Sequence, residues 1–220
     1  MAFERERQQM IADIESGVAA TRSMTGRDQL DPRVLEAMRH VPREDFVPDD
    51  LRRSAFRDGA LPVGHGQTIS QPYMVAIMTD LLELTPHSVV LEIGTGTGYQ
   101  AAILAQLARQ VYSVERIPEL ARAAQHRLSG MGYDNIEIRC SDGYQGWPEK
   151  APFEAIVVTA AAADVPSALL QQLGPGGRMV IPIGLPYSHQ ELRLVTRDSD
   201  GQLHSSNLLG VAFVPMIKDT

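Results

Sequence analysis

The sequence predicts a doubly wound, mostly parallel α/β sheet, and three observations predict it. The apolar run Val89-Val90-Leu91-Glu92-Ile93 is followed by Gly94, Gly96 and Gly98 and then by a helix-forming stretch at 101–108, giving strand, glycine turn and helix in succession. From residue 85 onward, strand-like and helix-like segments alternate, which is the pattern of a parallel sheet with helices on its faces. Two late segments, 192–196 and 208–214, flank a turn at 198–201 and read as antiparallel strands closing the sheet. The 220 residues, 44% hydrophobic, suffice for one domain with a large core. Residues 1–84 are expected to form a helical cover and a substrate loop, and residues 85–220 the sheet.

The elements follow in order. Residues 4–20 place Met10, Ile14 and Val18 on one helical face. A break follows at 24–29. Asp31 and Pro32 then start a helix as N-cap and first turn, with Val34, Leu35 and Met38 inward and Pro42 as its end. Phe46 and Val47 are expected to plug a core. Residues 59–70 show neither helical nor strand period, and a long irregular segment of this kind is often functional. Pro72 opens a helix expected to run to Leu84, and the chain up to that point is expected to lie over one end of the sheet. Beyond the glycines come a strand at 110–115, a helix from Pro118 to about Leu128, strands at 135–139 and 153–158, a helix at 166–173, a glycine turn at 174–177 and a strand at 178–183.

Composition narrows the function. The net charge of −7, with no basic region, counts against a nucleic-acid partner. Cys140 is the single cysteine, so an internal disulfide is impossible and a cysteine zinc site is not expected; no metal is expected at all. No basic-then-apolar leader and no run of 18 apolar residues appears, so the expectation is a cytoplasmic protein without a membrane partner. A monomer is expected, although the sequence does not give the oligomeric state.

Glycines let a ligand approach the main chain closely, and the following helix start offers free N–H groups. A dinucleotide site prefers Gly-x-Gly-x-x-Gly. Here the third glycine comes one residue early, and Glu92 stands two residues before the first. Glu/Asp-x-Gly-x-Gly-x-Gly is the pattern of class I S-adenosylmethionine (SAM) methyltransferases, which have a Rossmann-like sheet. A carboxylate suits the ammonium of the SAM methionine portion and does not suit a pyrophosphate. A nicotinamide cofactor and a purely structural turn stay open on this stretch alone. Ligands of such sheets bind beyond the carboxyl ends of the strands. Those ends carry Glu92 with Gly94 to Gly98 (Thr95 among them), then Glu115 for the ribose hydroxyls, Asp142 and Gly143 for the adenine amino group, and Thr159. Burial beside a sulfonium and an ammonium is expected to keep the three acids ionised.

Taken together, Val41-Pro42-Arg43-Glu44-Asp45-Phe46-Val47, Gly66-Gln67-Thr68-Ile69-Ser70-Gln71-Pro72, Ser113-Val114-Glu115-Arg116, Asp142-Gly143, Val157-Val158-Thr159-Ala160-Ala161 and Phe213-Val214-Pro215 make the chain resemble the protein-L-isoaspartate (D-aspartate) O-methyltransferases. The resemblance covers about residues 30 to 217; Ser141 stands where that family has glycine. It implies methyl transfer from SAM, with S-adenosylhomocysteine as product, to the free α-carboxylate of isoaspartyl residues in damaged proteins and peptides; acceptance of D-aspartyl residues stays open. It further implies that Ser70 lies beside methyl donor and acceptor, although serine before Gln71-Pro72 also reads as a helix cap. Gln67, Thr68, Ile69, Ser70, Arg116 and the tail from Val214 to Ile217 are implied to line the cofactor. Ser70, Val158, Thr159, Ala160 and Val214 are implied to hold the substrate, with the backbone of Val158 to Ala160 holding it as an extended strand. His65 is expected to face solvent.

The acceptor carboxylate has an intrinsic pKa below about 4, so it is a nucleophile at neutral pH without a base. Three rivals have discriminating features. A base-amino methyltransferase would carry Asn/Asp-Pro-Pro-Tyr where Val158-Thr159-Ala160-Ala161 stands. A dehydrogenase would place the third glycine one residue later, and a silent SAM-binding module would not need the intact Ser70 segment.

Overall fold

The computed structural model describes residues 3–185 and 188–217. Strand β3 (Val89–Ile93) is central. On one side it pairs in parallel with β4 (Gln110–Glu115), and β4 pairs with β5 (Ile136–Cys140). On the other side β3 pairs in parallel with β6 (Phe153–Val158), followed by β7 (Leu173–Ile183) and the antiparallel β8 (Gln190–Arg197) and β9 (Leu203–Val211). The order β5-β4-β3-β6-β7-β8-β9 reverses direction at β3, which is the switch point where such sheets open a crevice. The expected mostly parallel sheet with antiparallel final strands is what the structure shows.

The two faces are unequally covered. Val90, Val111, Ala155, Val157 and Val180 face a core shared with α1 (Glu4–Thr25), α2 (Pro32–His40), α3 (Pro72–Leu81) and α4 (Tyr99–Ala105). α5 (Pro118–Gly130) adds Leu128 to it. Leu91, Ile93, Val114, Ile156 and Val158 point the other way, as the strand period of two requires, into a smaller core closed by Trp147, Met216 and the short α6 (Ser167–Gln172). The N-terminal helices therefore cover a face of the sheet and not one end of it. Every residue of α3 is buried, including Thr79 and Asp80, because the helix lies between α1 and the sheet.

Three local expectations change. Residues 61–69 form a hairpin, β1 (Leu61–Gly64) with β2 (Gln67–Ile69), where no period was legible. Helix α3 ends at Leu81, three residues early. The glycine turn at 174–177 lies within β7: Leu173 stands opposite Phe153 and Arg178 opposite Ala155, so the tetrapeptide loops out as a bulge. Asp31 caps α2 as expected, accepting from Arg33 N at 2.8 Å, and Phe46 and Val47 are buried.

Candidate active site

The loop after β3 is held from two sides. Gly94 has φ 96°, and a Cβ there would overlap the Thr159 side chain. The Thr159 hydroxyl donates to Gly94 O at 2.7 Å. From β4, Glu115 accepts Gly96 N at 2.8 Å through one oxygen and Ile117 N at 2.9 Å through the other. Gly96 has φ 54°, and a Cβ there would meet nothing within 4 Å. Its bare main chain faces open space, the cradle a close-lying ligand requires.

That space is a cavity at the carboxyl ends of the central strands. Of the residues expected at the cofactor, Gly94, Gly96, Glu115, Arg116, Gly143 and Thr159 line it. Gln67 and Thr68 close it from the hairpin, and Ala160 and Val214 from the opposite wall. Asp142 sits beside it; its carboxylate accepts Tyr144 N at 2.9 Å and so fixes the short turn that carries Gly143. Sequence reasoning missed Ile93, Val114 and Ile117 in the wall. The available signal was strand parity, since Ile93 and Val114 are the last apolar residues before the loops.

A second cavity adjoins the first. Ser70, Gln71 and Met74 form one side, and Gln190, Val211 and Phe213 the other. Thr68 lines both cavities, so they share a wall. Ser70 is not a helix cap: Gln71 occupies the cap position of α3 and no side chain bonds there. The Ser70 side chain is half-buried at the groove, and its carbonyl accepts Arg43 Nη2 at 2.6 Å. His65 is exposed at the hairpin turn with φ 53°.

Other expected site residues lie outside the cavity linings. Ile69 is packed in the main core and Val158 in the smaller one. Gly98 caps α4, and a Cβ there would stand 2.9 Å from Leu128 Cδ1, so this glycine serves helix packing. Thr95 is buried with its hydroxyl 2.5 Å from Ser113 Oγ. Glu92 is fully buried beneath the loop, taking a hydrogen bond from Ser113 Oγ, with its second oxygen unpartnered. Burial, opposed by the Ser113 bond and aided by repulsion from Glu115, pushes its carboxyl up to about 8. Without a cation beside it the neutral form is favoured; the anion expected from the sequence is the form beside a bound ammonium. The backbone expected to hold substrate is also partly engaged. Val158 pairs with Ile93 inside the sheet, while Ala161 donates to Val214 O and accepts from Met216 N, both at 2.8 Å. Val158 is thus taken on its β3 side, while the pairing of β6 with β7 runs to Val157 opposite Val180.

Comparison with known proteins agrees with this geometry. The family model described as protein-L-isoaspartate(D-aspartate) O-methyltransferase matches residues 22–220. A protein-L-isoaspartate O-methyltransferase 2 of Syntrophobacter fumaroxidans is 53% identical over 96% of this chain and 85% of its own length. One from Polaromonas sp. is 51% identical over 94% of this chain and 98% of its own. A solved protein-L-isoaspartate O-methyltransferase superposes with a TM-score of 0.80 at 28% identity, covering 95% of this chain; the match spans 65% of that longer chain. A Plasmodium falciparum protein described as a protein-L-isoaspartate O-methyltransferase, solved in complex with S-adenosyl-L-homocysteine, gives 0.75 at 25% identity over 94% of this chain and 98% of its own. With the family model matched from residue 22 onward and relatives half identical over nearly its whole length, this chain belongs to the protein-L-isoaspartate (D-aspartate) O-methyltransferase family.

Proposed function

We propose that this chain methylates the free α-carboxylate of L-isoaspartyl residues in damaged proteins and peptides, with the glycine-loop cavity holding SAM and the Ser70 groove holding the acceptor. The observation that carries the assignment is the shared wall: Thr68 separates a bare glycine main chain and a carboxylate on one side from a hydroxyl on the other. The cofactor supplies an electrophilic methyl on a sulfonium. Gly96 offers it an unobstructed main chain and Glu115 has lone pairs left for ribose hydroxyls, while Gly143 lines the cavity packed so closely on Ile93 that a Cβ would stand 2.6 Å from Ile93 Cγ2.

The residues have modest chemical work. The acceptor carboxylate is already ionised, so no side chain need remove a proton. Ser70 donates one hydrogen bond that orients the acceptor without quenching its charge. Among the described residues lining this groove there is no carboxylate, which favours an anionic acceptor on a protein of net charge −7. The enclosing walls strip water and hold the acceptor oxygen in line with the methyl, about 3 Å away. With Val158 engaged in the sheet, the backbone contribution to substrate narrows to Ala160, which lines the cofactor cavity. Residues 1–84 act as cover and substrate loop to the sheet of 85–220. The protein works as a cytoplasmic monomer without nucleic acid; no helix among the described residues is long and apolar enough to cross a membrane.

The test is transfer of labelled methyl from SAM to two peptides identical except for Asp or isoAsp at one position. Base-labile label on the isoAsp peptide alone is the expected result. Label on neither peptide, with SAM still bound, would remove the substrate assignment and keep the cofactor.

A further inference from the structure

We infer that Arg43 is a positioning residue for this reaction, clamping the base of the segment that carries Thr68 and Ser70. The inference rests on Ser70 meeting the acceptor as proposed above. Arg43 is fully buried. Its Nε donates to Ala55 O at 2.7 Å and its Nη2 to Ser70 O at 2.6 Å. The residues between these two carbonyls include the whole β1–β2 hairpin, whose Gln67 and Thr68 wall the cofactor cavity. One planar guanidinium thus closes the loop at its root. Its carbon also stands 4.7 Å from the ring centre of Tyr99, the residue that follows Gly98. Arg43 therefore touches both the root of the Ser70 segment and the first turn after the glycine loop.

The energetic argument points away from bulk stability. Burying a cation costs several kcal/mol, and an apolar side chain of similar volume often does as well or better. Nη1 makes no hydrogen bond, so the site does not satisfy the group fully. What an apolar residue cannot supply is a rigid two-pronged donor that fixes one carbonyl relative to another. Lysine cannot supply it either, since an ammonium is a point donor without the fork. The glycine loop has its own supports, Glu115 and Thr159, which do not involve Arg43. A loosened Ser70 segment should therefore damage alignment more than cofactor binding, which loses only the Gln67 and Thr68 side of its cavity.

The experiment compares wild type with Arg43→Lys, Arg43→Gln, Ser70→Ala and the Arg43→Lys/Ser70→Ala double variant. It measures kcat and KM on the isoaspartyl peptide, S-adenosylhomocysteine affinity by calorimetry, and Tm. Two Arg43 variants are included so that the result does not depend on one of them folding. The expected result for Arg43→Lys is a kcat at least about tenfold lower, with S-adenosylhomocysteine affinity changed by less than about threefold. In the Ser70→Ala background the same change should cost less than about threefold more, since both residues act through one alignment. Wild-type kcat in both Arg43 variants, cofactor affinity falling in step with kcat, or full multiplication of the losses in the double variant would each overturn the inference. Wild-type kcat in Ser70→Ala is a separate failure, that of the Ser70 assignment itself, and is visible in that variant alone.

Discussion

Glu92 shows how far one residue departs from its simplest reading. Its position two residues before the first glycine suggested a fixed anion for an ammonium, yet the side chain is fully buried with one oxygen unpartnered and a pKa of about 8. The stability consequence has a definite sign. An unfolded glutamate titrates near its ordinary value and the folded one near 8, so between those values the folded state binds more protons. Stability contributed by the neutral carboxyl is present below the unfolded pKa and is lost as pH rises through the folded one. Wild-type Tm is therefore expected to fall between pH 5 and about pH 8.5. Glu92→Gln, which does not ionise, is expected to flatten that slope. Equal slopes in the two proteins, measured by calorimetry across the range, would show that another group carries the dependence. Arg43 is the opposite case: its identity is plain in the sequence, but nothing local announces that it spans from Ala55 to Ser70, because its partners lie 12 and 27 residues away.

Among the elements, the β3–loop–α4 unit divides labour between glycines that look alike. Gly98 faces Leu128 and has φ 91°, so Gly98→Ala forces both a clash and a left-handed alanine. It is expected to cost about 1–3 kcal/mol, read as a lower urea midpoint with unchanged m. Gly96 has open space before it, so Gly96→Ala is expected to cost only about 1 kcal/mol of backbone strain. The new methyl would instead occupy the cavity, and S-adenosylhomocysteine affinity is expected to fall at least about tenfold. If the two variants lost stability and affinity in the same proportion, the division would be wrong. The hairpin was the least legible element. Its strands are four and three residues long, and glycines at 64 and 66 interrupt any alternation. The bulge at 174–177 misled for a related reason: Gly-Pro-Gly-Gly is turn chemistry, and only the pairing of Leu173 with Phe153 shows that the strand has already begun.

At the scale of the molecule, sheet class and switch point were legible because β3 and β6 are largely buried on both faces and read as mostly apolar runs, the first closed by the glycine loop and the second by Thr159. The ends of β4, β5 and β6 supplied Glu115, Gly143 and Thr159 to the cavity. What brings Thr68 and Ser70 to that place is packing of the N-terminal helices on one face, for which no local period exists. The assembled cavity gives a whole-molecule measurement. S-adenosylhomocysteine at a hundred times its Kd is expected to stabilise the fold by about 2.7 kcal/mol, raising Tm by roughly 5–10 °C, whereas NAD is expected to leave it unchanged. A shift with NAD alone would restore the dehydrogenase reading. The wall at Thr68 has a thermodynamic corollary. If a ligand in either cavity displaces that residue, it changes the free energy of both cavities together, and linkage then makes the effect reciprocal. Whatever factor bound cofactor applies to peptide affinity, bound peptide applies to cofactor affinity, so the two occupants of this protein would read each other's presence through a single threonine.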